Sequence, residues 1–186
     1  MKIIDLHQEE KNRIQLAADN NRQAQQLIYT TYASKMLSVC RLYIKDIHHA
    51  EDVMITAFMK VFIGLSNFEH KGSFEGWIRR IMINESISYI RFQKKISFLD
   101  DEQYIEQPTN SIEIQFNVEE IQFLIDALPD GYKMVFNLYV IEGYKHNEIA
   151  ELLSISTGTS KSQLSQARRI LQREINKLNT PQNGTR

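Results

Sequence analysis

The sequence has little of the residue types that cross-link or interrupt a polypeptide chain. Its 186 residues include one cysteine, three prolines and seven glycines. A single cysteine cannot form a disulfide within the chain, which is typical of proteins that fold in a reducing compartment, and we expect Cys40 to serve packing. Few prolines and glycines leave long stretches in which an α-helix is not interrupted. With 42% hydrophobic residues, the chain can also build real cores, so we expect a helix-rich protein.

Several kinds of functional segment are also missing. No run of 18 apolar residues occurs, and the N-terminus has no uninterrupted apolar stretch of the kind found in secretion signals. We therefore expect a soluble protein of the cytoplasm. The chain has no Walker-type phosphate loop and no cluster of carboxylates and histidines spaced to hold a metal. We accordingly expect no enzymatic activity, no cofactor and no small-molecule substrate.

Basic residues nearly equal acidic ones in number, 22 against 23, but they are unevenly placed. The formal net charge is −1, which argues against a uniformly basic nucleic-acid binder. Up to Lys95 there are 14 Lys and Arg against 10 Asp and Glu, and from Ile96 onward there are 8 against 13. No basic residue lies between Lys95 and Lys133. Charge and periodicity predict two small helical domains, joined by an acidic linker without fixed secondary structure. The predicted segments are an N-terminal helix (1–23), a first domain (24–95), the linker (96–118), a second domain (119–178) and a disordered tail (179–186).

The segment from Phe68 to Lys95 combines an apolar stripe with a basic one. Apolar residues at helical spacing, beginning after Ser73 as N-cap, predict a buried face: Phe74, Trp77, Ile78 and Ile81. Polar and basic residues fall in another sector of the same helix: Arg80, Asn84, Ser88, Arg91 and Lys95. A basic face beside a loop flanked by phenylalanines could hold phosphates and stack an unpaired base. An ordinary amphipathic surface helix is an equally good interpretation of these residues alone.

The helix before it has an unusual outward face. Its spacing predicts a helix over 51–62, after a break at 46–50. Opposite the core face lie Ile55, Met59 and Ile63, an outward apolar row of the kind that contacts a partner. The alternative is that the N-terminal segment covers this row.

The C-terminal part has the spacing of a helix-turn-helix, at about 144–172. Ile149 and Ala150 lie in its first helix, Ile155 fills the turn, and Ser156 caps the second helix, which Leu164 anchors. The first turns of the second helix are predicted to expose residues that read base edges: Thr159, Ser160, Lys161, Ser162 and Gln163. Residues suited to phosphates follow: Gln166, Arg168 and Arg169, then Arg173 and Lys177. A chance helical hairpin is the alternative.

Both parts resemble one family. Arg41 to Arg91 is similar to region 2 of extracytoplasmic-function (ECF) sigma factors, small members of the sigma-70 family, through AEDV from Ala50 and GSFEGWIRRI from Gly72. The stretch ALP from Ala127, and EIAELLSISTGTSKS from Glu148, resemble region 4. The two matches stand in family order with a linker between them. The resemblance implies an RNA polymerase sigma factor.

The resemblance also implies partners and sites. Region 2 of such proteins binds the β′ clamp helices of core RNA polymerase and captures melted −10 promoter DNA, while region 4 binds the β flap and reads the −35 element. The polymerase-binding residues would be Asp52, Ile55, Thr56 and Met59. The −10 residues would be Phe68, Lys71, Ser73, Arg80, Asn84, Ser88, Arg91, Lys94 and Lys95. The −35 residues would be Thr159, Ser160, Lys161, Ser162, Gln163, Gln166, Arg168 and Arg169. A further expected partner is an anti-sigma factor, which in many relatives is a membrane protein.

Three departures from the family pattern stand out, one of which is that Gln163 and Gln166 occupy positions that are often basic in the recognition helix. Ile55 and Thr56 replace a common Gln and acidic residue, so clamp contact would rest more on apolar burial. Lys145 stands where Ser or Thr usually caps the first helix of the motif, so we expect the capping box with Glu148 to be missing. The alternative function is a stand-alone helix-turn-helix regulator, in which the first domain binds a ligand or dimerises.

Overall fold

A computed structural model describes residues 2–97 and 118–179, and the side chains of 8–93 and 120–177 within them. These residues form helices joined by short loops, with no strand among them, as the sequence predicts. They divide into two compact units, one on each side of the gap. The predicted linker (96–118) and tail (179–186) were too long, because Ile96, Ser97, Val118 and Asn179 belong to helices; residues 98–117 and 180–186 lie outside the described residues.

The first unit consists of four helices, α1 Lys2–Ala18, α2 Arg22–Tyr43, α3 Ile47–Gly64 and α4 Phe74–Ser97. Helices α2, α3 and α4 pack against one another in pairs. The N-terminal helix α1 packs on α2 and on the 3₁₀ turn Leu65–Asn67 that ends α3. Tyr32 of α2 donates a hydrogen bond of 2.9 Å to the Glu10 carboxylate of α1. Burial, reinforced by that carboxylate, raises the pKa of Tyr32 to about 12.

Capping residues set where three of these helices begin. Asn21 accepts a hydrogen bond from the backbone N–H of Ala24, and Ser73 accepts one from the N–H of Gly76. Asp46 accepts from the backbone N–H of His49 at 3.0 Å, a bond that lowers the pKa of its carboxyl group. Helix α3 therefore begins at Ile47, and the break predicted over 46–50 is wrong, because these residues are its cap and first turn.

The core of the first unit is formed by the facing stripes of α2, α3 and α4. Its largest fully buried side chains include Ile28, Met36, Tyr43, Phe58, Ile78, Met82, Ile83 and Ile87. Burying each apolar side chain of this size is worth about 1.5–3 kcal/mol. Cys40 lies among them with its sulfur 4.0 Å from that of Met82.

The second unit contains four more helices, α5 Val118–Asp126, α6 Asp130–Phe136, α7 His146–Leu153 and α8 Thr157–Asn179. Helix α6 continues into a π-helical turn, Asn137–Ile141. Ile125 and Leu128 pack with Ala167 and Leu171 of the long helix α8. Lys133 and Asp126 form a buried ion pair whose atoms Nζ and Oδ1 are 3.6 Å apart. Among the described residues, no helix is both long enough and apolar enough to cross a membrane.

Candidate nucleic-acid and polymerase interfaces

The loop before α4 is built on an aromatic cluster. Phe68 packs against the rings of His70, Phe74 and Trp77, with centroid distances of 4.9, 5.1 and 5.4 Å. Only 8% of Phe68 is exposed, so the predicted role of this ring in stacking a base is wrong for this structure. The Phe68 ring instead packs between the loop residue His70 and the first turn of α4. The apolar partners on α4 that would cover it were already evident in the sequence.

The polar part of the loop faces solvent. Lys71 and Ser73 are exposed as predicted, although Lys71 forms an ion pair of 2.6 Å with Glu69 and the Ser73 hydroxyl accepts from the N–H of Gly76. His70 and Gly72 have positive φ values of 56° and 90°. The side chain of His70 is exposed, and its ring lies against that of Phe68.

The predicted basic stripe forms on α4. Arg80, Asn84, Ser88 and Arg91 are all exposed and follow one another at intervals of three or four residues. Lys94 and Lys95 also belong to α4, but their side chains lie outside the described part. The Ser88 hydroxyl donates to the backbone oxygen of Asn84 at 2.8 Å and can still accept a hydrogen bond.

Negative charge is scarce along this stripe. From Ser86 to the end of α4 the sequence contains no acidic residue. Glu85, just before this segment, forms an ion pair with Lys60 of α3. The C-terminal half of α4 therefore presents cations and polar groups, which is the charge distribution that attracts a phosphate chain.

The outward apolar row of α3 is open. Ile55, Met59 and Ile63 are exposed by 50, 62 and 79%. Helix α1 packs mainly on α2 and the turn after α3, and it leaves this row uncovered. Asp52 and Thr56 are exposed on the same helix, and the Thr56 hydroxyl donates to the backbone oxygen of Asp52 at 2.9 Å. The described part of α1 therefore does not cover the row, and its role as a surface for a partner stays a prediction.

The helix-turn-helix has the predicted geometry. Ile149, Ala150 and Leu164 are buried, and the turn between α7 and α8 passes through Ser154 with φ of 55°. Ser156 caps α8 by accepting from the backbone N–H of Thr159 at 2.9 Å. These contacts fix the angle at which α8 leaves the turn.

The cap of α7 differs from the prediction. Glu148 accepts a hydrogen bond of 2.7 Å from the backbone N–H of Lys145, so this half of the capping box is present. The other half requires a side-chain acceptor, which a lysine ammonium group does not have. The expectation that the box is missing was therefore wrong for one of its two bonds.

Ser160 is not available to DNA. Its side chain is fully buried, and its hydroxyl lies 2.9 Å from Nδ1 of His146, the first residue of α7. The predicted exposure of Ser160 is wrong because it occupies the same helical stripe as Leu164, Ala167 and Leu171, all of which are buried. The residue ties α8 to the start of α7.

The outward face of α8 carries the other predicted residues. Lys161, Ser162, Arg168 and Arg169 are exposed, while Thr159, Gln163 and Gln166 are half-buried. The Thr159 hydroxyl is 2.8 Å from that of Ser156. Gln163 lies against Gly131 of α6, where an added Cβ would come within 3.2 Å of its amide nitrogen. The strongest candidates for DNA contact are therefore the four exposed residues.

A shallow groove of about 410 Å³ runs along one side of this face. Its lining includes Lys161, Arg168 and Arg169, together with Ser165 and Gln172, which the sequence prediction did not include. The ring of Tyr139 stacks on His146 at 4.5 Å, and the Arg168 guanidinium lies 5.8 Å from the Tyr139 centroid. Spacing could have identified Ser165, which follows Lys161 by four residues and Ser162 by three.

Comparison with known families agrees with this geometry. A model of sigma-70 region 2 matches residues 28–96, and a model of sigma-70 region 4 matches residues 118–180. The chain belongs to the sigma-70 family. The two matches cover most of the first unit and the whole described part of the second, in family order. This sigma factor therefore carries its basic stripe and exposed apolar row in region 2 and its helix-turn-helix in region 4.

Curated relatives identify the group within the family. The ECF RNA polymerase sigma factor SigW of Bacillus subtilis is 28% identical over 185 residues, which cover 90% of this chain and 97% of that protein. SigM of the same organism is 27% identical, with 81% and 94% covered. The ECF sigma-E factor of Escherichia coli is 24% identical, with 85% and 90% covered. The chain is thus an ECF RNA polymerase sigma factor, and the stand-alone regulator is not favoured.

Solved structures share the fold. The sigma factor RpoE of Bartonella quintana, in complex with the anti-sigma factor NepR, aligns with a TM-score of 0.56 at 20% identity, covering 83% of this chain and 98% of that one. CnrH, in complex with the cytosolic domain of CnrY, aligns with a TM-score of 0.51 at 18% identity, covering 89% and 96%.

Proposed function

We propose that this sigma factor binds core RNA polymerase, captures melted −10 promoter DNA on its first unit and reads the −35 element with its second. The observation that carries the proposal is the combination, in one unit matched by region 2, of an open apolar row on α3 and a basic stripe on α4. The chain would act as a specificity subunit in the cytoplasm, without catalysis of its own.

The polymerase contact would use Asp52, Ile55, Thr56 and Met59 against the β′ clamp helices. Two exposed apolar side chains at the centre of this face favour an association driven by burial, since each contributes about 1.5–3 kcal/mol when fully covered. Asp52 would supply the polar rim. The region 4 unit would bind the β flap, the second contact that the family pattern implies.

The −10 contact would use Arg80, Asn84, Ser88 and Arg91, with Lys94 and Lys95 extending the stripe. Arginines and polar groups along one helix face can hold successive phosphates of a single strand. Lys71 and Ser73, together with His70, would line the place of an extruded base above the buried Phe68 ring. Unstacking a base costs a few kcal/mol, and capture of that base together with the polymerase contacts would offset it.

The −35 contact would place α8 in the major groove. Lys161 and Ser162 lie in its first turns, where base edges are read, and Arg168 and Arg169 lie farther along, where phosphates are reached. The groove residues Ser165 and Gln172 extend the same contact.

An anti-sigma factor is the remaining proposed partner. RpoE, which shares this fold, was solved with the anti-sigma factor NepR bound, and CnrH was solved in complex with the cytosolic domain of CnrY. By analogy, a protein of this kind would bind the chain and keep it from the polymerase, and its removal would release the sigma factor.

Salt dependence of promoter binding tests the basic stripe. We expect Arg80→Ala to weaken binding of the holoenzyme to promoter fragments and to lower the slope of log K against log salt by about 1, because one phosphate contact is lost. Arg22→Ala, which removes the same charge from an exposed position at the start of α2, is the matched control and should leave the slope unchanged.

The polymerase contact is tested by measuring the association of the chain with core polymerase in the absence of DNA. Ile55→Glu should abolish association with core polymerase, whereas Leu27→Glu, at an exposed apolar position on α2, should not. Equal losses from both variants, or none from either, would contradict the proposed α3 surface.

A further inference from the structure

The exposed ring of Phe92 differs from every other large aromatic side chain described in the first unit. It is 63% exposed, while each other Phe, Tyr or Trp ring among residues 8–93 is buried or half-buried. Burial of such a ring is worth about 1.5–3 kcal/mol, so its exposure leaves a sizeable interaction unused in the free chain.

The position of Phe92 on α4 places it beside the basic stripe. Ser88 precedes it by four residues and Lys95 follows it by three, and residues at these spacings are neighbours on a helix surface. Arg91 is adjacent in sequence. Tyr89, three residues before, is half-buried, with its hydroxyl accepting from the Gln93 amide at 3.0 Å and its ring 5.8 Å from that of His49. Phe92 thus has polar and cationic residues as its neighbours along α4.

These surroundings distinguish Phe92 from the apolar row of α3. Ile55, Met59 and Ile63 lie together, as in a surface that buries against a protein. Among the described side chains within four residues of Phe92 on α4, none is both apolar and exposed, and the sequence has no acidic residue from Ser86 to Ser97. A single flat ring within a cationic strip is the arrangement that binds single-stranded nucleic acid, because the ring stacks a base while the cations hold its phosphates.

We propose that Phe92 is a stacking platform for an unpaired base of the melted promoter strand, next to the phosphates held by Arg91. This rests on the proposed −10 contact and adds a residue to it. Phe92 also provides the exposed aromatic ring that stacking requires, which the buried Phe68 cannot provide. Because every base has a π-face, the contact would strengthen strand capture with little sequence preference.

The test uses the full chain bound to core polymerase and a fork-junction DNA whose non-template −10 segment is single-stranded. We expect Phe92→Ala to weaken binding roughly tenfold, within the range that base stacking supplies. Phe92→Leu keeps an apolar side chain but has no π-face, and it should lose nearly as much. Phe92→Trp should bind as well as the native chain. Binding to duplex −35 DNA should not change in any of them.

A spectroscopic measurement reports stacking directly. Trp77 is the only tryptophan of the chain, so Trp77→Phe combined with Phe92→Trp creates a single reporter at the proposed platform. In the chain without core polymerase, where this tryptophan is the only one in the sample, its fluorescence should be accessible to acrylamide and should be quenched at saturating fork DNA. A reporter that is already shielded in the free chain would show that another part of the chain covers position 92 and would overturn the proposal.

Two further results would also overturn it. One is native binding by Phe92→Leu, which would mean that apolar contact suffices. The other is a loss of affinity for core polymerase in the absence of DNA, which would assign Phe92 to a protein contact. Arg80→Ala tests the proposed −10 contact separately from the role of Phe92. It should weaken binding to the fork DNA even if Phe92 does not stack a base. If Arg80→Ala also has no effect, the −10 surface itself is wrong.

Discussion

Cys40 shows what a lone cysteine does in this fold. Its side chain is fully buried beside Met82, and burial raises the pKa of the thiol to about 11. The thiolate is the reactive form, so a buried thiol with a raised pKa is a poor nucleophile at neutral pH. The residue serves packing, as the sequence suggested.

The raised pKa predicts a loss of stability at high pH. The folded state favours the neutral thiol, so this contribution is complete below the ordinary pKa of 9.0 and disappears as pH rises to about 11. A shift of this size corresponds to roughly 2–3 kcal/mol. Urea unfolding of the first unit, followed by Trp77 fluorescence, should show this decrease between those pH values. In Cys40→Ala the decrease should be smaller. Equal pH profiles for both proteins would contradict the assignment.

Phe68 and Ser160 show where residue chemistry alone misleads. An aromatic ring beside a basic helix and a serine in a recognition helix both suit DNA, but the structure buries both. The relevant signals were present as spacing. Ser160 belongs to the buried stripe of Leu164 and Ala167, and Phe68 has Phe74 and Trp77 as apolar partners. Residue type indicates what a side chain could bind, and helical phase decides whether it is exposed.

At the scale of elements, the link between α7 and α8 is the contact that sets the recognition helix. The Ser160 hydroxyl meets Nδ1 of His146, and the His146 ring stacks on Tyr139. The bond holds the start of α7 against the first turns of α8, where Lys161 and Ser162 face outward. Loss of this bond should therefore change DNA binding without removing a DNA contact.

Two serines of α8 provide a matched test. Ser160→Ala should destabilise the second unit by about 0.5–1.5 kcal/mol, since it removes a buried hydrogen bond, and should weaken −35 binding as well. Ser162→Ala removes an exposed hydroxyl and should weaken −35 binding with a change in stability below about 0.5 kcal/mol. Amide hydrogen exchange of α8 and binding to duplex −35 DNA measure the two effects. Reversed stability effects would contradict the structure.

Most helices could be predicted from periodicity, and their ends less well. The long helices α4 and α8 were predicted correctly, but their buried faces only in part, since Trp77 and Ile81 are half-buried and Ser160 is buried. The start of α3 was missed because His48 and His49 look like a polar turn, although Asp46 is a good N-cap. The π-helical turn Asn137–Ile141 has no sequence signature, since it depends on how α6 meets its neighbours.

Residues of the candidate site could be predicted where their exposure depends only on their position around a helix. The stripe from Arg80 to Arg91 and the apolar row of α3 are exposed as expected. Whether α1 would cover that row could not be decided from the sequence, because it depends on which neighbours α1 packs against. Helical spacing could have identified the groove residue Ser165, whereas no comparable signal in the sequence pointed to Gln172.

At the scale of the whole molecule, the two units present different surfaces. The first combines an open apolar row with a basic stripe, and the second presents a recognition helix. The chain as a whole is not basic, since its net charge is −1. We therefore expect weak binding of DNA by the free chain and firm binding when core polymerase holds both units near a promoter, because tethering raises their effective concentration.

Run-off transcription tests this account most directly. Core RNA polymerase with the purified chain, on a library of promoter fragments, should start specific transcripts that are absent without the chain. Ile55→Glu should abolish them and Arg91→Ala should reduce them, while Arg22→Ala should leave them unchanged. The contrary result is a chain that neither binds core polymerase nor starts transcripts, yet shifts duplex DNA alone. That result would contradict the sigma-factor account and favour a stand-alone helix-turn-helix regulator.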